Sequence, residues 1–215
     1  MSKPVWTIAI LFILIAPFIP SGSFAYATAP DKYVRTANYF LMSGPVLDDP
    51  QTLKTLAAFD LIVLPAEAQI FNVSFFSQIR KQNPDILILA YVPTVSFNNL
   101  YWSDALHIKL KKGIASSWWL QDGQGKQKSI WPNTSALNIH SGWSDYLASF
   151  VKTDILSTGL WNGIFYDEVS DGIAWVSPVD TNQDGKISYN EIESFVLKQD
   201  EKMRPGPNRN FLTRK

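Results

Sequence analysis

Apolar and polar positions along the chain switch between strand-like and helix-like spacing. Tyr33 to Leu41 (YVRTANYFL) reads as a strand, broken by Gly44-Pro45. Asp49 is placed to cap a helix running to Phe59, with Pro50 in its first turn. Asp60 to Pro65 is a short apolar run of the kind found in buried parallel strands. Ser74 to Gln82 (SFFSQIRKQ) has helical character and Asn83-Pro84 stops it. Asp85 to Val92 (DILILAYV) is the strongest strand, ended by Pro93. A long irregular region comes next, in which Trp118-Trp119-Leu120 and Lys128-Ser129-Ile130-Trp131 flank a turn with Asp122-Gly123 and Gly125, which predicts a β-hairpin. Ser141 to Ser157 predicts a helix with Trp143, Tyr146, Leu147, Phe150, Val151 and Ile155 on one side. Gly163 to Glu168 (GIFYDE) is a last strand.

This alternation is a β/α repeat and predicts an α/β fold, a partial (β/α)8 TIM-type barrel of about four units with an inserted β-hairpin. In such a barrel chemistry sits at the carboxyl ends of the strands, where Asp167 and Glu168 fall. Adjacent strand residues face opposite ways. If Gly163 and Phe165 point inward so does Asp167, while Glu168 turns outward or toward the loop. Asp167 is therefore the first candidate acid or nucleophile, Glu168 the second and Asp171 the third. The alternative is that Asp167 caps the following turn or bonds loop amides.

The N-terminus changes the picture. Lys3 is the only charge in residues 1–27 and precedes the apolar run Val5 to Pro20, followed by Ala25-Tyr26-Ala27. That pattern predicts a signal peptide over 1–27, and a secreted or periplasmic protein with no membrane attachment after cleavage. An uncleaved anchor is the alternative, although the apolar run is slightly short to span a bilayer. The 19 basic and 19 acidic side chains balance, which argues against nucleic acid as a partner. With no cysteine, an exported chain relies on its core and on metal rather than disulfides.

The metal has a candidate site. Residues 180–191 fit D-x-N-x-D-G-x-I-x-x-x-E, the spacing of an EF-hand-type Ca²⁺ loop. Asp180, Asn182 and Asp184 offer side-chain oxygens, Lys186 its carbonyl, Ser188 a bridging water and Glu191 two closing oxygens, with Gly185 at the sharp turn. Only the segment after Glu191 reads as a helix, which points to a structural pin rather than a sensor.

Trp118-Trp119-Leu120-Gln121-Asp122 with Gly125, Trp131-Pro132, Leu137-Asn138, Trp143 and Gly159 to Glu168 (GLWNGIFYDE) carry a resemblance. Over residues 33–204 the chain resembles a group of bacterial glycoside hydrolases with a (β/α)-barrel fold, in the style of the polygalactosaminidase-like families. In that pattern the last Asp of D-G-I-F-x-D falls on Asp167, and the first is Asn162 here. The resemblance implies cleavage of polysaccharide or oligosaccharide glycosidic bonds by two carboxyl groups, and a sugar path lined by Trp118, Trp119, Trp131 and Tyr91. Core packing is the alternative role for each of these aromatics.

The expected organisation is a signal peptide over 1–27, the N-terminal half of the barrel with its calcium loop over 28–204, and an irregular tail over 205–215. Four strands leave an open sheet edge. That reads as a truncated or frameshifted fragment without activity, or as a half that self-associates through the edge. Two other functions fit: an exported calcium-dependent carbohydrate-binding module, or a plain calcium-binding protein.

Overall fold

The computed structural model describes residues 34–169, 176 and 178–187. The expected signal peptide, Asp171, Ser188, Glu191 and the tail lie outside the described residues. The chain divides between Val34 and Arg35 into two units. Of the first, only Val34 is described, and it is exposed. The second, from Arg35 onward, holds every strand and helix described below. Among the described residues no helix is long and apolar enough to cross a membrane.

The fold is mixed α/β. A parallel sheet runs in the order β1 (Ala37–Tyr39), β2 (Leu61–Pro65), β3 (Leu87–Pro93) and β7 (Gly163–Asp167). Between β1 and β2 lie α1 (Pro45–Asp48) and α2 (Pro50–Leu56); between β2 and β3 lie α3 (Ala68–Phe71) and α4 (Val73–Gln82). Asp49 caps α2 as its position suggested, its carboxylate accepting the Thr52 N–H at 2.7 Å. Only the centre of the expected first strand pairs, because β1 meets one neighbour over three residues.

Side-chain alternation gives the sheet two unlike faces. Ile62 and Leu64 of β2 and Ile88, Ala90 and Val92 of β3 are buried with Leu53 and Leu56 of α2 and Phe75, Phe76 and Ile79 of α4. The helix predicted from 141 is α6 (Ser144–Phe150), continued by further helical turns to Thr158. Its expected face is inward, with Trp143, Leu147, Phe150, Val151 and Ile155 buried and Tyr146 packed against them. Asn162 ties the start of β7 in place, its side-chain oxygen accepting from the Ile88 N–H at 3.0 Å and from Arg80 at 3.2 Å.

The other face is concave. Register sets Tyr39 beside Val63, Val63 beside Leu89, and Tyr91 beside Phe165. Yet the rings of Tyr39 on β1 and Phe165 on β7, with β2 and β3 between them, meet at 5.4 Å between centroids. In a flat sheet those strands would stand about 14 Å apart. The sheet therefore curls, and aromatic rings from β1, β3 and β7 converge over β2.

The region expected to be irregular holds a second sheet. β4 (Ser96–Asn98), β6 (Thr134–Ala136) and β5 (Ser129–Trp131) pair antiparallel in that order, and α5 (Ala105–Lys112) separates β4 from the rest. The expected hairpin is present in part. Lys128 N–H reaches the Leu120 carbonyl at 2.8 Å and Asp122 N–H the Lys126 carbonyl at 2.9 Å. Its second arm, however, then pairs with β6, a partner too short to show in the residue pattern.

Candidate active site at the carboxyl end of the parallel sheet

Asp167 closes β7 on the concave face. Its Oδ2 accepts the Tyr91 hydroxyl at 2.9 Å and the Tyr39 hydroxyl at 3.4 Å, and its Oδ1 accepts the Glu168 N–H at 2.8 Å. Burial, then the bonded Asp167 carboxylate, pushes the Tyr91 phenol strongly upward, so it stays a donor. Burial and the charge of Asp167 raise Tyr39 as well. The Thr94 N–H and hydroxyl both grip the Asp167 carbonyl, at 3.1 and 2.8 Å, which fixes the strand end.

Glu168 departs from the strand. Its φ of +60° turns the chain, and the side chain reaches the antiparallel sheet, where Ser96 Oγ donates to Oε2 at 2.6 Å. Burial pushes this carboxyl above the usual range and neighbouring Asp167 adds to the rise, while the Ser96 and Trp131 side chains pull it back. Trp131 itself is 60 % exposed. Two adjacent carboxyl groups thus sit in different surroundings, one beneath phenols and one beneath an exposed indole.

The four candidate aromatics separate. Tyr91 and Trp131 stand at the carboxylates. Trp119 is buried with its ring 6.4 Å from Phe97, and Trp118 packs on Tyr146 at 5.7 Å and over Gly142. A small cleft nearby is lined mainly by apolar side chains, Val92, Leu106, Leu110, Trp143 and Phe150, with Tyr91, Ser96 and His107 among them. Tyr39, Ser96 and Glu67 carry no motif that singles them out in sequence. Glu67 follows β2 by two residues, so the strand-end rule that points to Asp167 applies to it equally.

The segment 180–187 curls around its first residue. Asp180 is 3 % exposed; its Oδ1 accepts the N–H groups of Gln183 at 2.6 Å and Asp184 at 3.2 Å, and Oδ2 that of Gly185 at 2.8 Å. Gln183 and Gly185 adopt left-handed φ of 63° and 82°, which tightens the curl. Asn182 and Asp184 repeat the pattern, accepting the N–H groups of Asp184 at 2.9 Å and Lys186 at 2.8 Å. Among the described residues no lysine or arginine pairs with Asp180. Asp180, Asn182 and Asp184 thus bring side-chain oxygens to alternate positions of one curl, the donor type that a hard ion such as Ca²⁺ takes.

This loop is docked on the inserted region. Asp180 N–H bonds the Gln121 carbonyl at 2.8 Å, Asn138 Nδ2 the Thr181 carbonyl at 3.1 Å, and Gln183 Nε2 the Ser117 carbonyl at 2.9 Å. Beneath it Val176 and Val179 are buried with Leu120 and Ala136.

A scan against protein-family models finds no match, and a search of curated proteins finds none. Function therefore rests on this geometry.

Proposed function

We propose that the chain is a glycoside hydrolase-like protein of exported type, built on the N-terminal half of a (β/α)8 barrel and braced by calcium. The observation that carries this is the carboxyl pair at the end of β7, with Glu168 pushed toward its protonated form and Asp167 held by two phenols. Glu168 would donate a proton to the glycosidic oxygen and Asp167 would act as nucleophile or base. Exposed Trp131 and the Tyr39–Tyr91–Phe165 cluster offer flat apolar surfaces to sugar rings. Strands in simple sequential order, with helices packed on one face and the other face curled, support a barrel over a doubly wound sheet. Ca²⁺ would be held by Asp180, Asn182, Asp184 and the Lys186 carbonyl, completed on spacing by Ser188 and Glu191. Its contribution there is charge neutralisation and cross-linking of the loop.

Reducing-end release from a panel of polysaccharides tests this. Glu168→Gln and Asp167→Asn are each expected to lower kcat by about 10²–10⁴-fold while leaving sugar binding intact. A second function, a calcium-dependent carbohydrate-binding module, is favoured by the exposure of Trp131 on the inserted region to which the calcium-type loop is docked. Binding without turnover, lost with EDTA, would select it. Neither binding nor turnover on any polysaccharide would overturn both.

A further inference from the structure

Glu67, Asp104 and His107 form a separate group beside the cleft. Glu67 lies just past β2, while Asp104 and His107 sit at the start of α5. One donor atom from each lies within 4.8 Å of the others. Asp104 Oδ1 caps the helix, accepting the N–H groups of Leu106 at 2.9 Å and His107 at 3.1 Å. Its Oδ2 lies 2.6 Å from the His107 Nδ1, and the ring is clamped by stacking on Trp102 at 4.9 Å and 8°. Burial alone would raise the Asp104 carboxyl, yet the His107 ring and the helix amides hold it low.

Helix capping accounts for Asp104 and for one side of the imidazole, and no more. His107 is 5 % exposed, and its Nε2 has no hydrogen-bond partner among the described residues. Among the described residues the contacts of the Glu67 carboxylate are its own backbone amide and, at 3.5 Å, Ser43 Oγ. No lysine or arginine among the described residues pairs with either carboxylate. A weakly bonded Glu67 and a buried imidazole nitrogen without a partner among the described residues leave a divalent cation a place in this group.

We propose that Glu67, Asp104 and His107 form a zinc-type transition-metal site at the carboxyl end of the parallel sheet, distinct from the calcium loop. The donor set selects the ion: imidazole nitrogen suits zinc and its neighbours, whereas calcium takes oxygen alone. Donors around a tetrahedral zinc stand about 3.4 Å apart; Asp104 Oδ2 and His107 Nδ1, at 2.6 Å, would part slightly to admit the ion and Glu67, within 4.8 Å, would turn toward it, both within reach of side-chain torsions. Three protein donors leave a fourth position for water.

Zinc uptake by the full chain, measured against a chromophoric chelator in excess calcium, tests the site. The wild type is expected to take one equivalent, and Glu67→Gln and His107→Gln each to weaken uptake by at least about tenfold. Asp180→Asn, in the calcium loop, is expected to leave it unchanged. X-ray absorption of the loaded wild type should show imidazole in an N/O shell. Failure of the wild type to take zinc, wild-type uptake in both variants, or loss of uptake in Asp180→Asn would overturn the assignment. Should His107→Gln fail to fold by circular dichroism, Glu67→Gln and the absorption spectrum decide it.

Discussion

Among individual residues, Ser96 has the most direct hold on the chemistry proposed for Glu168. Burial lifts the Glu168 carboxyl, and the Ser96 hydroxyl opposes that lift by donating to the ionised form. Ser96→Ala removes the opposition, so the carboxyl should rise further. An acid catalyst loses activity as pH climbs through its own pKa, so the basic limb of the kcat/KM profile should move to higher pH. An unmoved limb, or one displaced to lower pH, would show that Glu168 is not the proton donor. Asn162 illustrates a different residue-scale outcome. Its side-chain oxygen accepts from the Ile88 N–H and from Arg80. Those two bonds hold the exposed turn before β7.

Among the elements, the legible ones are those whose burial leaves a long imprint. β2, β3 and β7 are apolar runs, and α4 and the helix through 144–155 carry an inward stripe, so each shows in the sequence near its true position. β4, β5 and β6 are three residues apiece, too short for alternation to register. α5 is hidden because ALHIKLKK reads equally as alternating strand and as helix, and its cap, Asp104, stands among other turn-forming residues. With α5 goes His107, so a group assembled from separated segments is invisible to motif spacing. The curl of residues 180–187 is legible because the residues that shape it are local in sequence. What spacing does not reveal is where it docks. It grips Gln121, and Asn138 grips its Thr181; Leu120 in turn bonds Ala136 of β6, which pairs with Ser96 of β4. Calcium should therefore steady the inserted sheet that holds Glu168. Hydrogen exchange of amides in 119–138 is expected to slow on adding calcium and to quicken with EDTA, with no response in Asp180→Asn. Protection that ignores calcium would separate the loop from the sheet.

At the scale of the whole molecule the curled sheet makes a claim about burial. Helices cover one face, while Leu87, Tyr39 and Phe165 on the other are 44, 51 and 36 % exposed. Leu87 and Ile88 are neighbours on β3 that point to opposite faces, and Ile88 is fully buried. Ile88→Ala should cost about 2–5 kcal/mol, from lost transfer energy and the cavity left among the helices. Leu87→Ala should cost less than about 1 kcal/mol, because water already reaches that side chain. Denaturant unfolding of the two variants provides the comparison. Equal losses would mean that something fills the concave face in solution, and sedimentation would then separate the sources. A loss that grows with protein concentration identifies a second copy, joined through the sheet edges. A concentration-independent loss places more of the same chain over the face. In either case the Tyr39–Tyr91–Phe165 surface would be closed to a polysaccharide, and Trp131 with Glu168 would be left as the accessible part of the site.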